Sequence, residues 1–385
     1  MKTRITKSQN GFSLLELLIA SIIGVLLMAG MTRAFRVSMN AIFAVTQRAE
    51  TQQNMRAAIE LMTKDISMAG AGLPTGGLQM ATATPTKVAC NQAGTCYVTG
   101  DVYPLSGTGQ PNYMYGILPG FGNGVQAAAV ITAAPAAVND SITSIYCDYN
   151  FPLSNFSFSF PVSPAAASVT VINPAVQPNN ILAPGGLNVG DLLLFIVSTP
   201  GNGTGAGGTS LAQTAAAVGE ITGLPPGGAA IDFAAADALN FNQGGANSLF
   251  TVAASMGVGT NVTVCRLYAV TYFLQVPVAG GTVQVPRLMR QVNGLNAVPV
   301  ADNIINLQFS YDVISATSGL MNANLSNPIG AGDSPALIQK VNIWVMGQGL
   351  ISDKTRSQSM YLASSVSARN MSFCNSYSDN ATVCN

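Results

Sequence analysis

From Gly11 the chain reads GFSLLELLIASIIGVLLMAGM, and Glu16 is the one charge before Arg33. About 20 consecutive apolar residues are what a helix needs to cross a bilayer. Residues 32–69 keep strong helix formers and hold neither proline nor glycine, so the helix is expected to continue. One helix from Ser13 to Ala69 would be roughly 85 Å long at 1.5 Å per residue. Near its end Met55, Ile59, Met62, Ile66 and Ala69 recur at spacings of four, three, four and three, which is a single apolar face suited to packing on a core. The polar stretch Gln47 to Asn54 is expected to face solvent or another subunit. Gly70-Ala-Gly72-Leu-Pro74 should stop the helix, since glycine caps it and proline cannot continue it.

After that stop the period changes from 3.6 to 2. Short β-like runs stand between Gly, Pro, Asn and Ser clusters at Val125–Thr132, Ser141–Tyr149, Phe156–Phe160, Ser168–Ile172 and Asp191–Ser198. Pro200 to Ser210, PGNGTGAGGTS, reads as a flexible linker by composition. The last third is more regular. Val262–Val278 is long enough for an extended strand, with Arg287–Gly294 returning beside it. Ile305, Leu307, Phe309, Tyr311 and Val313 alternate with polar residues, as a half-buried strand requires. Val341, Ile343 and Val345 share one face of a strand expected to be central, and Trp344 and Met346 share the other.

Composition narrows the function classes. Only 8% of the 385 residues are charged, against about 25% in an average protein, while glycine reaches 39. Sixteen basic residues balance sixteen acidic ones, and three of the basic ones, Lys2, Arg4 and Lys7, precede the apolar run. The remainder is mildly acidic and offers no basic footprint, so direct nucleic-acid binding is not expected. The chain has no histidine, which removes Ser-His-Asp and Cys-His nucleophilic sites and the common zinc ligand sets. Asp232 with Asp237, and Asp148 beside Cys147, are the best acidic clusters, but no general base supports them and they read as loop carboxylates. No Asp-x-Asp-x-Asp-Gly calcium loop occurs. Neither catalytic residues nor a metal site nor a cofactor is expected. Six cysteines, Cys90, Cys96, Cys147, Cys265, Cys374 and Cys384, form an even set beyond a membrane anchor and read as disulfides. Cys90–Cys96 and Cys374–Cys384 are the natural local pairs, leaving Cys147 with Cys265, although fifteen connectivities are open.

The basic leader, Gly11, Phe12 and Glu16 followed by an apolar helix resemble the class III signal of type IV pilins and type II secretion pseudopilins. LMTKDISMAGAG, GDLLLF, YFLQV with RLMRQVNG, VADNIINLQFSYDV, and KVNIWVMG with SSVSARN further resemble the PilW-type minor pilins. The likeness covers the helix and the last third and leaves about residues 73–260 largely unmatched. It implies an α+β, pilin-like fold: a long N-terminal helix, membrane-spanning in its first half, packed on antiparallel β-sheets of a large β-rich head. The chain then divides into a leader at 1–11, the transmembrane half-helix at 12–32, a periplasmic amphipathic half at 33–70, a variable β-rich head region at 71–260, and a C-terminal antiparallel sheet with a disulfide-closed tail at 261–385.

By the same resemblance a membrane prepilin peptidase cuts between Gly11 and Phe12 and Phe12 is N-methylated. Glycine lets an extended backbone enter a protease site, and the basic leader keeps that end cytoplasmic. A carboxylate inside a membrane is costly alone. In a staggered helix bundle Glu16 would lie beside a neighbour's Phe12 amine, so that assembly neutralises both and sets axial register. The implied role is a minor pilin that primes or supports pilus assembly, with the tip as a candidate position, in motility, adhesion or DNA uptake. Implied partners are other minor and major pilins, the inner-membrane assembly platform and the lipid bilayer, with the head periplasmic before assembly and extracellular after it. A minor pseudopilin of a type II secretion system is the alternative, and a membrane-anchored enzyme a remote one. The helix departs from major pilins in lacking a kinking proline and having only Gly24 and Gly30 as weak points.

Overall fold

The computed structural model describes residues 12–74, 77–81, 86–87, 102–103, 113–121, 139–148, 153, 157–161, 167–172, 186–204, 210–235, 237–245, 247–256, 261–275, 285–315, 318–328, 335–349 and 358–371. The chain forms two compact units, one of residues 1–51 with 349–358 and one of 52–348 with 359–385. Helix α1 (Leu14–Met68) runs unbroken through Gly24 and Gly30. The glycines cost propensity there, but without proline every backbone donor keeps its acceptor.

In chain order follow β1 (Leu78–Gln79), β2 (Thr86–Lys87), β3 (Val102–Tyr103), β4 (Tyr113–Met114), β5 (Ile117–Gly120) and β6 (Ser141–Asp148). Next come β7 (Ser157–Ser159), β8 (Ser168–Ile172), β9 (Leu192–Thr204), β10 (Ser210–Glu220), β11 (Ala230–Asp232) and helix α2 (Leu249–Met256). The last strands are β12 (Asn261–Gln275), β13 (Arg287–Val292), β14 (Val298–Asp302), β15 (Ile304–Ile314), β16 (Met321–Leu325), β17 (Ile338–Gly349) and β18 (Gln358–Ser367). The architecture is α+β and pilin-like, with a long N-terminal helix followed by antiparallel sheets.

Strand β12 organises the larger sheet. Its residues 266–272 pair with β6, while 261–267 pair with β9 and 270–275 with β13. The overlaps place β6 along one edge and put β9 and β13 in tandem along the other, because a strand has only two edges. Between the tandem partners β12 would show a bare backbone. Asn293 fills that gap: its Oδ1 accepts from Ala269 N at 2.8 Å and its Nδ2 donates to Leu267 O at 3.0 Å. Asn293 and Gly294 have φ of +48° and +68° and Leu295 N donates to Val292 O, a tight primed turn for which Asn-Gly is the favoured pair. The sheet is completed by β10 beside β9, β14 beside β13 and β5 beside β6. It therefore draws strands from both sides of residue 260.

A second sheet has the order β16-β15-β17-β18, with β17 inside it as expected. On β15 Leu307, Phe309, Tyr311 and Val313 are buried, but Ile305 is not part of that face. A register irregularity between Ile304 and Asn306 shifts the alternation by one, so Ile304 is buried instead. A third sheet, β11-β8-β7, packs with α2 around Phe195, Phe233 and Phe250. Strand β9 serves two cores by its period of 2, with Leu192 and Leu194 on one side and Leu193 and Phe195 on the other. It also corrects the linker expected at Pro200–Ser210. β9 extends to Thr204, which pairs with Ser210 of β10, so both ends of that glycine-rich stretch belong to a hairpin. The run Val125–Thr132 lies outside the described residues.

The apolar stripe of α1 joins residues of both large sheets in one core. Met55, Ile59, Met62, Ile66 and Ala69, with Ala58, cluster with Val270, Tyr272 and Leu288 and with Phe309, Val341 and Ile343. The polar stretch 47–54 is open to solvent for the most part, except Thr51, which is buried and donates its hydroxyl to Gln47 O at 2.8 Å. At the helix stop Gly70 has φ +81°, and its N donates to Ile145 O at 2.8 Å. A Cβ on Gly116 would stand 2.4 Å from Gly70 N, so the helix exit and the β4–β5 corner meet where side chains do not fit.

Candidate functional site

Two parts of α1 carry the chemistry of interest, its N-terminal turn and its packed last turns, and each lies in its own unit. In the first, Phe12 is 87% exposed and every large apolar side chain from Leu14 to Met31 is uncovered. The segment is long and apolar enough to cross a membrane, and none of its most apolar window is buried by protein. Ser13 Oγ accepts from Leu15 N at 3.4 Å, and Glu16 Oε2 accepts from Ser13 N at 3.2 Å. Ser-x-x-Glu here is a capping box, in which two amides that no helical carbonyl reaches find side-chain acceptors. The carboxylate also faces the positive end of the helix dipole. Glu16 thus has a use within its own chain that the pattern-based reading overlooked, although the spacing S-x-x-E signals it. Gly11 lies outside the described residues.

The second part is a buried ionic knot. Asp65, one residue from the stripe position Ile66, points into the protein with its side chain only 4% exposed. Arg290 of β13 grips it as a fork, Nε to Oδ2 at 2.8 Å and Nη2 to Oδ1 at 3.3 Å. Tyr272 Oη of β12 donates to Oδ2 at 2.5 Å, and Tyr146 Oη of β6 donates to Oδ1 at 3.0 Å. Burial, then the carboxylate beside them, raises both phenols above their usual range, so they remain donors. Burial alone would lower the Arg290 guanidinium, but the Asp65 hydrogen bonds and charge outweigh it and hold it above its ordinary value. An acid that accepts four donors from three strands fixes the helix against the sheet in rotation and in height. Asp65 stands in the stretch LMTKDISMAGAG, which by itself does not indicate Tyr146, Tyr272 or Arg290 as partners. The signal is an acid next to the buried stripe, combined with an arginine that follows the apolar pair Leu288-Met289 on β13.

The expected cysteine and carboxylate clusters sort differently. Cys147 and Cys265 are joined by a disulfide across β6 and β12, with Cα atoms 5.7 Å apart. Cys90, Cys96, Cys374 and Cys384 lie outside the described residues. Asp148 binds Arg266 through Nε at 3.1 Å and through Nη2, so neither member of the Cys147–Asp148 pair is a reactive group. Asp232 accepts from Ser168 Oγ at 2.7 Å. Asp237 is drawn to Glu220 rather than to Asp232.

Glu220 and Asp237 are both buried and hydrogen-bond each other. Glu220 Oε2 accepts from Leu239 N at 3.0 Å, and Asp237 accepts from Phe241 N and, at 3.1 Å, from Asn242 N. Burial first, and then the neighbouring carboxylate, raise Glu220 from 4.5 to about 8. A raised acid favours folding most below the unfolded value, and that contribution disappears as pH climbs through the folded value. The protein is therefore expected to lose stability between about pH 4.5 and pH 8, and Glu220→Gln should flatten that slope. Thermal unfolding followed by circular dichroism at pH 5 and pH 8 measures it; an equal pH dependence in Glu220→Gln would refute the raised Glu220 as its source. No group of three or more metal-ligating side chains occurs among the described residues.

Residues 6–32 match the family model of the prokaryotic N-terminal methylation motif. The N-terminus is that of a type IV pilin-like prepilin. No curated protein and no solved structure matches the chain. The motif spans the uncovered helix and the capping box but stops well before Asp65. Members of this motif family are structural subunits, and the motif implies processing by a prepilin peptidase, membrane anchoring and assembly with other pilin-like subunits.

Proposed function

We propose that this chain is a PilW-like minor pilin that primes or supports assembly of a type IV pilus. The observation that carries the reading is the methylation motif laid over the N-terminal part of a helix whose large apolar side chains from Leu14 to Met31 have no cover within the chain. A helix apolar on all sides needs lipid or other helices around it. Before assembly the bilayer supplies that cover, and in a filament the helices of neighbouring subunits do. The prepilin peptidase separates the leader 1–11 from Phe12, which is N-methylated. Residues 12–32 span the inner membrane, 33–70 continue as the periplasmic half, and 71–260 with 261–385 form the head, which reaches the cell surface on the pilus. Glu16 then exchanges its capping role for, or adds to it, a pairing with the amine of a neighbour's Phe12. The same motif opens type II secretion pseudopilins. A β-rich unit holding, among the described residues, five sheets, three of them with three or more strands, fits a low-copy subunit better than one repeated along a tightly packed shaft, which supports the minor-pilin reading.

Mass spectrometry of the protein from membranes and sheared pili tests processing. The expected N-terminus is methylated Phe12, and an intact Met1 chain in filaments would overturn the reading. Gly11→Ala is expected to be cut, because the protease needs only a small residue there, whereas Gly11→Leu should leave the leader attached.

A further inference from the structure

The outward face of the β16-β15-β17-β18 sheet carries a groove of about 790 Å³ that runs across the strands, a volume within the range of small-ligand sites. Its floor is built from cross-strand neighbours. Gln308 stands opposite Trp344 and Ser310 opposite Asn342, with Ala363 and Ser365 of β18 on the far side. Trp344 lies against Tyr361, their ring planes 23° apart and centroids 6.3 Å apart, and Tyr361 is 71% exposed. Among the described residues the phenylalanine clusters gather around the buried Phe195 and Phe233, whereas this nearly parallel pair, with Tyr361 exposed and Trp344 half-buried, stands on a sheet face.

The polar side of the groove is organised but not charged. Asn342 Nδ2 donates to Asp312 Oδ1 at 3.1 Å, to Asn324 Oδ1 at 3.2 Å and to Ser310 Oγ at 3.3 Å, which fixes the amide plane. Asp312 is neutralised by Lys340 at 2.8 Å. Burial pushes Asp312 up, but the bonds from Lys340, the Asn324 amide and Asn342 prevail and hold it below the usual carboxylate range, so the pair stays ionised and closed. Asp140, the one acid on the groove wall, accepts from Phe309 N at 3.0 Å and is buried. Among the described lining residues there is no cation for an anionic ligand, and the one acid is turned onto backbone rather than into the groove mouth. A ligand with an apolar C–H face and a rim of neutral hydroxyls finds both halves of its complement: π-faces for the C–H groups, amides and serine hydroxyls for the rim.

We propose that this groove binds a neutral oligosaccharide, with Trp344 in its lining and the exposed Tyr361 stacked beside it, just outside the lining, as the platform, and Asn342 as the orienting amide. The proposal goes beyond the assembly role and does not depend on it, because the groove lies wholly in the β-rich unit.

Trp344 is the only tryptophan in the chain, so intrinsic fluorescence reports occupancy of this groove. The full-length chain, in a zwitterionic detergent without a sugar headgroup, is titrated with cellohexaose, maltohexaose and chitohexaose, and with sialyllactose and an apolar decapeptide as contrasts. Saturable change in tryptophan emission with at least one neutral oligosaccharide is expected, in the millimolar range or tighter. Tyr361→Ala should weaken binding at least tenfold while thermal unfolding is unchanged, and Ser365→Arg should block the groove from an exposed position. No response to any of the three neutral sugars at about 10 mM, where even a weak site of about −4 kcal/mol is mostly filled, would overturn the proposal. So would a response to the decapeptide or sialyllactose alone, or a sugar response that Tyr361→Ala and Ser365→Arg leave intact.

Discussion

Asp65→Ala is expected to destabilise the β-rich unit by about 3 to 5 kcal/mol, the usual cost of removing one partner of a buried ion pair. The cost arises less from the lost contact than from what remains. Arg290, whose side chain is 23% exposed, would keep its charge with no acceptor, and the Tyr146 and Tyr272 hydroxyls would lose theirs inside the core. Partial exposure of the guanidinium favours the lower end of the range. Removing both charges is a different experiment. Asp65→Leu combined with Arg290→Met replaces the pair by apolar volume and is expected to recover much of the loss, leaving two phenols to find water or each other. Urea unfolding of the full chain in detergent, followed by far-ultraviolet circular dichroism, gives each value from its midpoint. An Asp65→Ala midpoint equal to wild type would show that the knot is not what holds the helix to the sheet. Tyr272→Phe, which removes one donor and leaves the ion pair, should cost about 1 kcal/mol.

Incorporation into filaments is expected to fall at least tenfold in Glu16→Gln, with processing at Gly11–Phe12 retained. The prediction separates two uses of one side chain. Within its own chain Glu16 accepts from Ser13 N and closes the capping box, a role glutamine also fills. Toward a neighbour it would meet an ammonium group, and there an amide cannot replace a carboxylate. Glu16→Ala loses both uses, so its helix end should also fray, by about 0.5 to 2 kcal/mol for a lost cap. Immunoblots of sheared pili, normalised to membrane levels, measure incorporation. If Glu16→Gln assembles as wild type while Glu16→Ala does not, capping alone explains the acid, and charge pairing between subunits is the wrong account of it.

Much of this architecture is legible in the sequence because it follows from short-range periodicity. The 3.6 period of Met55, Ile59, Met62, Ile66 and Ala69 gives the buried helix face directly. The period of 2 gives the inward residues Val341, Ile343 and Val345 and the central position of β17. Where a local irregularity enters, the pattern misleads. The shift beside Ile304 moves the inward face by one residue, and nothing in NIINLQ marks it, since Ile304 and Ile305 are chemically equal candidates. Glycine content misled too, because PGNGTGAGGTS reads as a linker although its ends pair as strands.

By itself, then, the sequence determines the N-terminal processing signal, the apolar helix and most strand faces, since each depends on residues within a few positions of one another. Only the tertiary structure decides which distant residues meet. Asp65 and Arg290 are 225 residues apart in the chain, and Cys147 and Cys265 are separated by 118. The register of β6 against β12 brings the cysteines together, and the seating of the helix on that sheet brings the acid to the arginine. Trp344 becomes a candidate platform only because strand pairing sets Tyr361 and Asn342 beside it. The physical reason is the same throughout. Local pattern fixes which face of an element turns inward, whereas pairing register and docking fix which side chains share a place, and those depend on the whole chain closing at once.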